Sequence, residues 1–212
     1  SAQATTCPRS TRKPAKVDLP WNIKIENMNK IVLITGATSG IGLGCARKFA
    51  ENGDKLILTG RTEHRLAEIR SELTEKGCQV LTLAFDVRDK EKAKKYINDL
   101  PDEWKAIDVL VNNAGLALGL EPEYEGNPDD WGTMIDTNIK GLLTMTRLVV
   151  PGMIERGCGH VINVGPVAGD AAYAGGNVYC ATKAAVKVLT DGLRIDVADT
   201  PIRVTNLKPG LV

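Results

Sequence analysis

The chain has 212 residues, 43% of them hydrophobic and 25% charged, and a formal net charge of +1. That is enough for one domain with a sizeable core, and too weak a field to favour nucleic acid or an anionic membrane as partner. The longest apolar runs, such as Ile31–Ile34 and Leu148–Met153, are far too short to span a bilayer. Residues 1–29 read as a separate tail. Arg9, Arg12, Lys13 and Lys16 stand there with several hydroxyl residues and no acid before Asp18, and Pro8, Pro14 and Pro20 interrupt helix or strand. Two readings stay open for it: an unstructured tail or cloning remnant, or an organelle-targeting leader, which would place the protein in mitochondria rather than the cytoplasm. A chain that starts at Ser1 fits both.

From residue 30 to 212 strand and helix signals alternate. Apolar, β-branched runs at Ile31–Thr35, Leu56–Thr59, Val80–Phe85, Val109–Val111, Val161–Val164 and Arg203–Leu207 predict six strands. Between them, helices are expected from Ile41 to Asn52 (stopped by Gly53), from Glu63 to Lys76 (stopped by Gly77), and from Lys90 to just before Pro101. A long helix is expected over 129–156, with Trp131, Met134, Ile135, Ile139 and Leu142 on one stripe. The last is expected over 178–199, ending before Pro201. Near-continuous apolar strands separated by helices imply a parallel sheet covered on both faces. Right-handed crossovers then favour an α/β, Rossmann-type doubly wound sheet in the order 3-2-1-4-5-6.

Directly after the first strand comes Thr35-Gly36-Ala37-Thr38-Ser39-Gly40-Ile41-Gly42, opening a helix. Gly36 suits a tight turn, Gly40 lets backbone N–H groups approach a pyrophosphate, and Gly42 is expected to let the helix lie close to the sheet. The helix N-terminus favours negative charge. At the end of the second strand Gly60 occupies the place where an acid would hold a ribose 2′-hydroxyl, and Arg61 follows it. An acid there would repel a 2′-phosphate, whereas Arg61 binds one through a charged fork, so NADP(H) is expected over NAD(H). Near the start of the last helix, Tyr179 and Lys183 stand four apart on one face. A neighbouring ammonium is expected to lower the phenol pKa toward the working range of an acid/base catalyst. No metal site is expected, because Cys7, Cys45, Cys78, Cys158 and Cys180 are scattered and only His64 and His160 could join them. The same pattern argues against a disulfide framework and suits a reducing compartment.

Taken together with Asn112-Asn113-Ala114-Gly115 after the fourth strand and Asn138 in Asp136-Thr137-Asn138, these motifs resemble the short-chain dehydrogenase/reductase family over nearly all of 30–212. The stretches 111–122, 131–164 and 173–186 look most like its NADP-dependent 3-hydroxy acid (serine and allo-threonine) dehydrogenase branch. The resemblance implies Tyr179 as general acid/base, Lys183 as its tuner and the ligand of the nicotinamide ribose, and Asn138 as the anchor of a relay water. It also implies Asp86 and Val87 at the adenine, Asn113, Ala114 and Gly115 on the adenosine side, and Pro209 and Gly210 at the nicotinamide. Dimers or tetramers would form through the helices 129–156 and 178–199.

Two departures cut against activity. Thirteen residues before Tyr179, where the family places a serine to bond the substrate oxygen, stands Pro166, with neither hydroxyl nor N–H. No Ser or Thr lies between Arg147 and Ala181 to replace it, and Tyr173, on the following loop, is not expected to do so. The family also continues past Pro209-Gly210 into a substrate-covering lid and a seventh strand, whereas this sequence ends at Val212: either it is a fragment or it has lost the substrate half of its site, and the sixth-strand edge is open to a partner. The sequence therefore supports a catalytically impaired NADP(H)-binding subunit of a larger assembly. Its alternative is an active NADP-dependent oxidoreductase that interconverts a serine-like 3-hydroxy acid and its 3-oxo form.

Overall fold

A computed structural model describes residues 29–165 and 172–210. The basic leader, Pro166 and the last two residues lie outside the described residues. Six strands form one sheet: β1 (Ile31–Ile34), β2 (Lys55–Gly60), β3 (Val80–Ala84), β4 (Val109–Asn112), β5 (His160–Val164) and β6 (Arg203–Leu207). Their order is β3-β2-β1-β4-β5-β6 and every pairing is parallel. This is the expected doubly wound architecture. Its switch point lies at β1, whose neighbours β2 and β4 are reached by crossovers in opposite directions, so the turn after β1 opens into the crevice.

Strand burial explains why the apolar runs are continuous. All four residues of β1 are buried, and they alternate between the two faces of the sheet. Val32 and Ile34 join Leu56, Leu58, Val109 and Val111 beneath α1 (Gly40–Glu51) and α2 (Glu63–Glu75), which contribute Leu43, Ala46, Leu66, Ile69 and Leu73. Ile31 and Leu33 join Ile57, Leu110 and Val161 on the other face. There α3 (Lys90–Asn98) supplies Ala93 and Ile97, and α5 (Leu142–Arg156) supplies Met145, Val149 and Met153. The last helix, α6 (Asn177–Asp196), follows β5 and leads into β6. None of the described helices is long and apolar enough to cross a membrane.

The single helix expected over 129–156 is instead three pieces. Helix α4 (Pro128–Ile135) runs into a π-helical turn over Asp136–Gly141 before α5 begins. Asn138 lies in that turn, 2% exposed, and its amide bonds the Leu116 backbone and the Thr182 hydroxyl. The apolar stripe is correspondingly broken: Met134 and Leu142 are buried while Ile135 is 38% exposed. Helix α6 ends at Asp196 rather than 199, in a turn where the Thr200 N–H and hydroxyl both donate to the Val197 carbonyl.

Candidate active site

A cleft of about 890 Å³ opens along the carboxyl ends of the strands. Its adenosine end is built mainly from backbone. Gly36 has φ +64°, and a Cβ there would lie 2.9 Å from the Ala114 Cα. The glycine turn and the loop after β4 are stitched together. The Thr35 hydroxyl accepts from the N–H groups of Asn113 and Ala114, each at 3.0 Å, and the Asn113 amide donates to the Thr35 and Gly36 carbonyls, also at 3.0 Å. Gly42 faces this seam rather than the sheet: a Cβ would overlap the Gly36 oxygen and lie 2.5 Å from the Asn113 amide nitrogen. Its expected role is corrected accordingly, since α1 closes on the turn itself. Around Gly40, with φ +50°, there is open space. Ser39 caps α1 with extended backbone and no side-chain bond to the helix, and the first turn of α1 carries no acid. An anion such as a pyrophosphate fits here, because the first helical N–H groups point outward unopposed by carboxylates.

At the end of β2 the missing acid has a steric counterpart. A Cβ at Gly60 would come 2.7 Å from the Thr38 methyl, so the space an acid would start from is filled. Arg61 is exposed on the cleft wall, beside Asp86. Burial by itself would raise the Asp86 carboxyl, but hydrogen bonds from the Arg88 side chain and backbone, with the charges of Arg88 and Arg61, hold it below its ordinary value. The Arg88–Asp86 ion pair measures 2.7 Å.

The other end of the cleft is made of side chains. Tyr179 and Lys183 project from the first turns of α6, with the Lys183 ammonium 5.7 Å from the centre of the Tyr179 ring and 3.4 Å from the Val164 carbonyl it donates to. Gly115 closes over Lys183 and Asn138: a Cβ there would lie 3.1 Å from both Lys183 Nζ and Asn138 Oδ1. Lys183 is buried, and desolvation pushes its ammonium down to about 8. The Tyr179 phenol moves the opposite way from the sequence expectation. Burial raises it first, and neighbouring Tyr173 and Cys180 add to the rise. Removal from water, not Lys183, therefore sets the direction of the Tyr179 shift in this structure.

The sequence-derived residues Gly36, Thr38, Ser39, Gly40, Ile41, Arg61, Asp86, Val87, Asn113, Ala114, Gly115, Tyr179, Lys183, Pro209 and Gly210 all line this one cleft. Gly42 and Asn138 stand behind the wall, and the side-chain amide of Asn138 bonds the Leu116 backbone and the Thr182 hydroxyl. Sequence reasoning missed Thr59, Phe85, Leu116, Ala117, Thr137, Val164, Ala172 and Tyr173 as lining residues. Proximity to motifs could have found Thr137, next to Asn138, and Leu116 and Ala117, after Gly115.

The short chain dehydrogenase family model matches residues 30–212. The chain belongs to that family. Among its relatives, this short-chain dehydrogenase is 55% identical over 182 residues to the NADP-dependent 3-hydroxy acid dehydrogenase YdfG of Salmonella typhi, covering 86% of this chain and 72% of the relative. It is 49% identical over 185 residues to sulfoacetaldehyde reductase 2 of Chromohalobacter salexigens, covering 87% of this chain and 73% of the relative. Among solved structures it resembles the closed form of a serine dehydrogenase complexed with NADP+, at 51% identity and a TM-score of 0.82, over 85% of this chain and 72% of that one.

Proposed function

We propose that this short-chain dehydrogenase is an active NADP(H)-dependent oxidoreductase that interconverts a small 3-hydroxy acid and its 3-oxo form. The observation that carries the reading is that Tyr179 and Lys183 line the same cleft as the anion-binding glycine turn. NADP(H) is the cofactor: the 3-hydroxy acid dehydrogenase relative is NADP-dependent and the serine dehydrogenase structure is complexed with NADP+, Gly60 leaves no carboxylate at the 2′ position, and Arg61 offers a cation to a 2′-phosphate. When bound, the nicotinamide supplies or accepts the hydride. The protein's part is to move one proton and hold the reacting groups. Tyr179, with its pKa raised, is a neutral phenol at working pH and so is poised to give its proton to a carbonyl oxygen. Lys183 stays protonated below about 8 and steadies the phenolate left behind. Asn138 fixes the Leu116 backbone and the start of α6, holding the lining loop against Tyr179.

The names of the relatives narrow the substrate class. A 3-oxo acid and sulfoacetaldehyde both carry an anionic group one carbon away from the carbonyl, and we assign that shared chemistry to this chain. We also assign self-association through α5 and α6, whose outward faces leave Leu143, Ile154, Val188 and Ile195 exposed; a monomeric mass by light scattering at micromolar concentration would count against it. The rival reading, a non-catalytic NADP(H)-binding subunit, is favoured by Pro166, which has no donor to offer a substrate oxygen. One preparation separates the two. NADPH binding by fluorescence together with NADP-linked turnover of L-serine, abolished in Tyr179→Phe, is the expected result. Binding without turnover selects the rival.

A further inference from the structure

A carbonyl being reduced gathers negative charge on its oxygen, and a donor that keeps its own proton stabilises that charge. Tyr179 cannot be that donor, because its proton is the one transferred. Lys183 is turned to the Val164 carbonyl and the Asn138 amide is spent behind the wall. The sequence holds no Ser or Thr between Arg147 and Ala181. Of the hydroxyl residues that line the cleft, Thr38, Ser39, Thr59, Thr137 and Tyr173, it is Tyr173 that stands close enough to Tyr179 to act on it electrostatically and that belongs to the same turn into α6.

Tyr173 is seated by its surroundings. Its ring packs against Gly176, where a Cβ would overlap it, and its carbonyl accepts from the Gly176 N–H at 3.0 Å. Gly175, at φ +75°, tucks against the Leu120 carbonyl and completes the turn into α6. The two phenols are also close enough to act on each other electrostatically, since Tyr173 contributes to the rise of the Tyr179 pKa. We infer that the Tyr173 hydroxyl is the second hydrogen-bond donor to the substrate oxygen, holding it while Tyr179 exchanges the proton. In the oxidising direction, assayed at high pH where Tyr179 ionises, the alcohol would lose its O–H proton to the Tyr179 phenolate and its C–H hydride to a bound nicotinamide; the Tyr173 O–H stays intact throughout. This rests on the proposed oxidoreductase function.

Tyr173→Phe removes the hydroxyl and keeps the ring on Gly176. NADPH affinity is expected to stay within about twofold, while turnover of L-serine falls about 10²-fold or more, as for the loss of one oxyanion donor. Affinity of the NADP+-loaded protein for L-serine should fall as well. The pH limb belonging to Tyr179 should move to lower pH, since a neighbour that raises its pKa is gone. A merely structural loss would not move that limb. Wild-type turnover matched by Tyr173→Phe overturns this assignment and leaves the function standing. No wild-type turnover, with L-serine binding that depends on Tyr173, overturns the function and keeps the donor. No turnover and L-serine affinity equal in both proteins overturns both.

Discussion

The two ends of the cleft are made differently. Around the glycine turn the surface is mainly backbone, held by reciprocal bonds among Thr35, Gly36, Asn113 and Ala114, and Gly36 and Gly42 stand where a side chain would collide. Around Tyr179 the surface is side chains, and their polar atoms are committed to particular partners, Lys183 to Val164 and Asn138 to Leu116 and Thr182. The nucleotide end depends on the glycines that admit no Cβ and on the two side chains, Thr35 and Asn113, that stitch its backbone together. A side-chain-built site changes its chemistry with one residue.

The contrast between the two ends breaks most visibly at Tyr179. Tyr179→Phe should lower NADP-linked turnover by about 10²–10⁴-fold, the range for a positioned acid/base, with NADPH affinity unchanged. A matching loss of NADPH binding would mean the two ends are not separable. Next is Lys183. Its folded pKa of about 8 lies below the ordinary 10.5, so the unfolded chain binds more protons between those values and stability rises with pH across that window. Below about 8 the buried charge costs on the order of 3 kcal/mol. Lys183→Met should therefore raise the urea midpoint at pH 7 while abolishing turnover, and wild-type reduction should decline as pH climbs through about 8. A lower midpoint in Lys183→Met would show that the ammonium is compensated.

Two smaller effects sharpen the adenosine end. Arg61→Ala should weaken NADPH binding about 10- to 100-fold, the worth of a charged hydrogen bond of roughly 1.5–3 kcal/mol, and leave NADH nearly unchanged. Equal losses for both would remove Arg61 as the phosphate reader. Gly42→Ala drives a methyl onto the Gly36 carbonyl and should destabilise by about 1–3 kcal/mol, typical of an overfilled contact, visible as a lower urea midpoint. A neutral result would mean α1 shifts freely away from the turn.

Much of this is legible in the residues themselves. The strand order follows from apolar runs such as Ile31–Ile34, buried on both faces, and from glycine stops at Gly53 and Gly77. The cradle is legible because Gly36 and Gly40 adopt positive φ, which sequence marks by residue type. The π turn at Asp136–Gly141 is not, since its cause is tertiary: no Pro interrupts the helical pattern there, and the bonds of Asn138 run to Leu116 and Thr182. The direction of the Tyr179 shift is equally hidden, because a four-residue spacing reports the nearness of Lys183 but not the depth of burial. Tyr173 reads in sequence as a loop residue, and only the turn at Gly175 and Gly176 brings it to the cleft wall.

The seam between the glycine turn and the loop after β4 has a kinetic consequence. Thr35 donates its N–H to the Val111 carbonyl, and Asn113 and Ala114 donate theirs to the Thr35 hydroxyl, so these amides are all bonded across the β1–β4 end of the sheet. Their deuterium uptake should wait for opening of the β1–β4 pair, the slowest class of exchange in the chain. The floor of the crevice is thus a fixed plate against which the nucleotide is laid.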